Sequence, residues 1–158
     1  MASITMFGKG SVVEFTKSEY NEVPSDLSQV TGWVDISCIA TNAQYSGATT
    51  EELDVSTLCS PAKEYAAGDT DAGTLTFDAH LVPNDSEMYQ ALLDATNDKK
   101  KRLWRVTYQN GSTWTCAGFI TSRPWSIPNM AEIVTQTINV KCSGAAVEVL
   151  AAADTPNP

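Results

Sequence analysis

Apolar and polar residues alternate with a period of two through much of this chain. In 33–40, Val34, Ile36, Cys38 and Ala40 fall on one face, and Trp33, Asp35 and Ser37 on the other. In 74–81, Leu75, Phe77, Ala79 and Leu81 alternate with Thr74, Thr76, Asp78 and His80. Toward the end, Val134, Ile138, Val140 and Cys142 alternate with Thr135, Thr137, Asn139 and Lys141. Successive side chains of a strand stand on opposite faces, so this pattern predicts half-buried strands. Residues 11–17 are a shorter strand candidate, and 53–58 has an extended pattern. Asn110-Gly111 between two alternating runs predicts a hairpin over 103–120. With a two-residue turn, Trp104, Val106, Tyr108, Ala117 and Phe119 share one face. Leu103, Arg105, Thr107, Trp114, Cys116 and Ile120 then make a second, mixed face.

One segment has a different period. Pro83 cannot donate to a ladder and stops the strand before it. Asn84 is an N-cap candidate with Glu87 three residues on. Met88, Tyr89, Leu92 and Leu93 then follow at helical spacing, predicting one helix over about 84–96. Residues 41–52 are polar, contain Gly47 and show no clear period, which predicts a long loop. The expected fold is mainly β, an antiparallel β-sandwich or barrel with one flanking α-helix. It forms a single domain over 1–145, with an N-terminal arm at about 1–10 and a loose tail at 146–158.

Charge narrows the function. The 158 residues carry a formal net charge of −9, with a pI near 4.4. Such a chain repels polyanions and is a poor nucleic-acid reader. Lys99–Arg102 is the one basic cluster, and it reads as a solvated turn after the helix. No apolar run reaches membrane-spanning length. No secretory signal pattern is visible, so the expectation is folding in a reducing cytoplasm, with four cysteines as buried free thiols.

Candidate chemistry thins out quickly. His80 is the single histidine and falls on a polar strand face without a triad-like context. Asp69–Gly73 lacks the ligands of a calcium loop, since Ala72 and His80 occupy the required positions. Gly8–Ser11 lacks phosphate-loop spacing. No enzyme, metal or cofactor is expected. Four tryptophans could form a sugar-stacking platform, which makes a carbohydrate-binding module the main rival; core or interface anchoring is the commoner use.

In combination, the segments 6–15, 32–37, 53–65, 71–93, 108–122 and 134–145 resemble the tail tube proteins of long-tailed bacteriophages, while the 122–129 connection departs from their pattern. They match in turn a Gly-containing arm with a first strand, an early strand, a turn after a long loop, a strand-to-helix unit behind an acidic turn, and a late hairpin with a closing strand. The resemblance implies a β-sandwich that assembles as stacked hexameric rings into a hollow tube conducting DNA during genome delivery. It also implies a tape-measure protein and tube-end proteins as partners, and a place in the virion after assembly in the host cytoplasm. The injection tubes of type VI secretion systems are a nearby alternative. An acidic lumen wall would repel DNA over roughly one Debye length, about 8 Å. Asp35, on a polar strand face, is the candidate lumen residue. Ordering the 41–52 loop would cost roughly 12–24 kcal/mol of backbone entropy, to be offset by docking on a neighbouring ring. Its candidate inter-ring residues are Asn42, Gln44, Tyr45, Thr49, Glu51 and Glu52. Arg105, Trp114 and Ile120, on the mixed hairpin face, are candidates for subunit contact.

Overall fold

The computed structural model describes residues 8–81 and 86–151. Most of the N-terminal arm, Pro83, the Asn84 cap and the end of the tail lie outside the described residues. The first strands are β1 (Val12–Thr16), β2 (Trp33–Asp35) and β3 (Ala40–Tyr45). β4 (Thr49–Asp54), β5 (Tyr65–Asp71) and β6 (Thr74–His80) follow. After α1 (Ser86–Asp98) come β7 (Arg102–Thr107), β8 (Thr113–Ser122), β9 (Trp125–Ser126), β10 (Thr135–Cys142) and β11 (Val147–Val149).

All pairings are antiparallel, and the main sheet runs β2-β1-β7-β8-β10-β6-β3, with β9 on β10 and β11 on β8. The two ends of this order are consecutive in sequence. A turn at 36–39 carries the chain from β1's flank to β6's flank: Ile36 N–H donates to Val13 C=O, and His80 N–H to Ile39 C=O, each at 2.9 Å. The sheet therefore curls toward a barrel. Its seam between β3 and β1–β7 stays open as a cavity of about 410 Å3 lined by Val13, Ala40, Asn42, Val106 and Tyr108. The same turn exposes Cys38 and buries Ile39, because the strand ends at Asp35 rather than running to Ala40.

The concave face holds the core. Phe15, Ile36, Phe77, Trp104, Cys116, Ile138 and Val140 are all fully buried there. Trp104 is its centre, with ring centroids 4.8 Å from Phe15 and 5.8 Å from Phe77. Its indole N–H is satisfied by the Gly118 carbonyl at 3.2 Å. The helix closes this face with Met88, Ala91, Leu92 and Ala95, an i, i+3, i+4, i+7 stripe whose two alanines permit close approach. Tyr89 and Leu93, expected in that stripe, are only half-buried. On the opposite face of β7 and β8, residues 20–33 fold back over Leu103 and Ala117 to make a small second core with Val30.

The 103–120 hairpin forms with a register one residue away from the expectation. Gly111 N–H donates to Tyr108 C=O, Tyr108 N–H donates to Ser112 C=O, and Gly111 has φ of +89°. This is a three-residue loop with glycine in the left-handed position, not a two-residue turn. Val106 pairs with Trp114 and Trp104 with Cys116, so these side chains share the core face. A one-residue slip moves a whole strand's side chains to the other face.

The helix end has its own electrostatic anchor. Arg102 is 5% exposed and meets Asp98 in a two-point ion pair, at 2.8 and 2.7 Å. The guanidinium hydrogen bonds bring the Asp98 carboxyl down to about 2. The folded-state value lies below the usual carboxylate range, so the pair's contribution is complete above about pH 4. It is lost as pH falls through about 2. Asp98→Asn leaves a buried guanidinium without its counter-ion and should cost about 2–3 kcal/mol at pH 7. That difference from the parent chain should shrink in urea titrations repeated toward pH 2.

Candidate assembly surfaces

Residues 41–52, expected as one loop, are two strands. β3 pairs with β6 in the main sheet, while β4 pairs with β5 as a separate two-stranded ribbon. A ribbon with both faces in solvent has no reason to alternate, and its sequence therefore carries no period. Every residue of β4 is exposed. The ribbon leaves the body at a tight crossing. Gly73 has φ of +90°, and a Cβ there would sit 2.5 Å from the Gly47 carbonyl oxygen. Ser46 N–H donates to Thr74 C=O at 3.0 Å, and Thr74 N–H to Ser46 Oγ at 2.8 Å. From there the five steps between the six residues of β4 span about 17 Å.

The tip at 55–64 is held by its own hydrogen bonds. Ser56 N–H donates to Asp54, Thr57 N–H to Ser60 Oγ, and Ser60 Oγ to Glu64. Yet its apolar side chains face solvent: Leu53 and Val55 are 49% exposed, Tyr65 55%, and Leu58 fully. An isolated two-stranded hairpin is marginal in water. This one shows apolar groups and leaves its outer ladder edges unpaired.

A second apolar surface lies on the connection from β8 to β10. Trp125 pairs with Gln136, and Pro124 C=O accepts Thr137 N–H. This short edge presents Trp125, Ile127, Met130 and Ile133, each at least 59% exposed. The proline and tryptophan there carry a signal that strand periodicity misses: large apolar groups without alternation, on a segment too short to fold over itself. Val149 and Leu150 are also exposed, at the outer edge where β11 extends the sheet past residue 145.

The residues picked out from sequence separate into groups. Thr49, Glu51 and Glu52 lie on the projecting ribbon, and Asn42 and Gln44 on the exposed β3 edge. Tyr45 is tied inside the chain. Its hydroxyl donates to the Ala72 carbonyl, and its ring sits 4.5 Å from that of Trp114. Trp114 and Ile120 are 8% and 1% exposed, core residues and not contact residues, because the hairpin register turns them inward. Arg105 is satisfied within the subunit by Glu14 and lies 4.0 Å over the Trp33 ring. Asp35 is exposed on the outer sheet face, where its carboxylate accepts Ser37 N–H at 2.7 Å. Asp78, Thr137, Asn139 and Lys141 lie on the same outer face at β6 and β10, on the far side of the apolar cover that residues 20–33 lay over β7 and β8. Lys99–Lys101 lie between α1 and β7, and Lys99 takes φ of +54° where the helix ends. Among the described residues no cluster of metal-ligating side chains is present, and no helix is long and apolar enough to cross a membrane.

The fold has close counterparts among solved structures. The tail of an empty gene transfer agent particle, refined with sixfold symmetry, aligns with a TM-score of 0.67 at 16% identity, covering 93% of this chain and all of that one. The sheath/tube terminator of an extracellular contractile injection system aligns at 0.66 and 10% identity, covering 95% and 100%. The SPP1 tail tube aligns at 0.63 and 12% identity, covering 92% and 79%. No curated protein sequence matches the chain. The family model of the Lambda phage tail tube protein, however, matches residues 15–149, from β1 through the last residue of β11. The chain thus belongs to the Lambda phage tail tube protein family and is a structural component of the virion tail.

Proposed function

We propose that this subunit assembles into stacked hexameric rings forming a hollow tube, and that its two exposed apolar surfaces make the contacts. The observation that carries the reading is the ribbon β4–β5, which is ordered and projecting, with Leu53, Val55, Leu58 and Tyr65 uncovered. Two separate apolar surfaces, the ribbon and the Trp125–Ile133 segment, give each copy two contacts to make, one between rings and one within a ring. Made head-to-tail, such contacts generate rings or stacks rather than closed dimers. The ribbon takes the inter-ring role, with Thr49, Glu51 and Glu52 on it, and Trp125 and Ile127 take the contact within the ring. Sixfold symmetry in the gene transfer agent tail supports the ring size.

The outer sheet face, with Asp35, lines the bore, and the net charge of −9 keeps the wall from holding DNA. The role is structural and non-enzymatic. A tape-measure protein inside and terminator-type proteins at the ends are the partners, and the terminator's similar fold supports such end-to-end docking. The carbohydrate-binding alternative is not favoured by the family match.

Electron microscopy of the purified chain at rising concentration, or with a tail initiator supplied, should show rings and tubes with Asp35 on the bore. Trp125→Ser with Ile127→Ser should remove the rings while leaving a folded monomer by circular dichroism. Isolated monomers under all conditions would overturn the proposal, and Asp35 on the outer wall would overturn the lumen assignment.

A further inference from the structure

Two of the four cysteines meet in the core. Cys116 on β8 and Cys142 on β10 place their sulfurs 3.2 Å apart, with one thiol donating to the other. They are 0% and 4% exposed. The ladder sets Cys142 directly opposite Gly118, two positions along β8 from Cys116. Gly118 contributes no side chain between them, and the two thiols meet diagonally. Cys142 also lines a cavity of about 660 Å3 between the root of the ribbon (Ala48, Thr70, Ala72) and the Gly144–Ala146 link. The cavity gives a small solute a route to one sulfur of the pair.

We propose that Cys116–Cys142 is an oxidation site that closes to an intrachain disulfide when the chain meets a peroxide. A virion component leaves the reducing interior of the cell for surroundings where disulfides persist. The Cys142 thiolate attacks the peroxide O–O bond, giving a sulfenic acid and releasing hydroxide, which takes up a proton as water. The Cys116 sulfur then attacks the Cys142 sulfur. The S–O bond breaks, the departing hydroxide takes the Cys116 proton, and the balance is two thiols and one peroxide to one disulfide and two waters. The Cys116 hydrogen bond holds the Cys142 thiol below its usual range, and the same bond with burial pushes Cys116 up. Cys142 borders the cavity while Cys116 is wholly buried, so Cys142 is the attacking group and Cys116 the resolving one. The bond ties β8 to β10 beneath the ribbon root and closes a loop spanning 26 residue positions.

The test uses the full chain carrying Cys38→Ser and Cys59→Ser, which removes the two exposed thiols. Hydrogen peroxide should consume both remaining thiols and give one Cys116–Cys142 cross-linked peptide in non-reducing peptide mapping. The melting temperature should rise by about 5–10 °C and return on adding dithiothreitol. In the unsubstituted chain the same cross-link should form first, ahead of any link through Cys38 or Cys59. Persistence of both thiols, conversion of Cys142 to sulfinic acid without a cross-link, or a link that leaves melting unchanged would each overturn the proposal.

Discussion

Replacing residues 49–71 with a short turn should leave a folded chain that forms no tubes. The ribbon shares no core with the body: every residue of β4 is exposed, and β5 is nearly so. Removing it takes away little of the burial that holds the barrel together, so thermal unfolding should stay cooperative and near the parent's midpoint. Assembly should fail completely, because this removes Leu53, Val55, Leu58 and Tyr65 together, four apolar groups that the monomer leaves in water. At about 25 cal/mol per Å2, the area such side chains bury on docking is worth several kcal/mol for every contact along the tube. The measurement is paired: melting of the shortened chain, and sedimentation or microscopy at concentrations where the parent polymerises. Tubes from the shortened chain would remove the ribbon from the assembly. Loss of cooperative melting would show that it belongs to the fold.

The second large effect is in the core. Trp104→Ala should destabilise the subunit by about 3–5 kcal/mol, the upper range for loss of an aromatic from a packed site. Its indole is wholly buried between Phe15 and Phe77 and bonded to the Gly118 carbonyl. Truncation opens a void under β1, β6 and β7 at once and orphans that carbonyl. With typical domains stable by only 5–15 kcal/mol, the variant should unfold in urea at a much lower midpoint. Trp104→Phe, which keeps the ring stack and loses only the N–H donor, should recover more than half of the loss. A fall of under about 1 kcal/mol for Trp104→Ala would contradict this account of the core.

These effects separate what alternation reveals from what it hides. β1, β6 and β10 are legible because one face is buried and the other wet, so the period of two is imposed by burial. Phe77 and Ile138 stand where that period puts them. The helix is legible in place but not in facing. Small Ala91 and Ala95 are the buried contacts, and hydrophobicity alone pointed to Tyr89 and Leu93. The late hairpin is legible as a hairpin, but its register depends on one backbone angle. Gly111 occupies the left-handed position of a three-residue loop, and that choice reverses which residues of β8 face inward. Trp114 and Ile120 follow it into the core. The ribbon is illegible as strands because no face of it is buried within one subunit. In the proposed tube, that exposed face is the one another subunit covers. Glu51 and Glu52 belong to it, while Tyr45 does not, since its hydroxyl is spent on Ala72.

The stretch 33–45 crosses from one edge of the sheet to the other through the turn at 36–39, joining β1 to β6. Its far end leads directly into the ribbon. A tug on the ribbon is therefore delivered along β3 and β6, parallel to their axes. Ladder hydrogen bonds lie across the strands, so such a load falls on the whole row together instead of opening it one bond at a time. In the proposed tube, a neighbour docked on the ribbon would load the seven-pair ladder between β6 and β10 in shear, the attachment a conduit needs when it is bent or pulled.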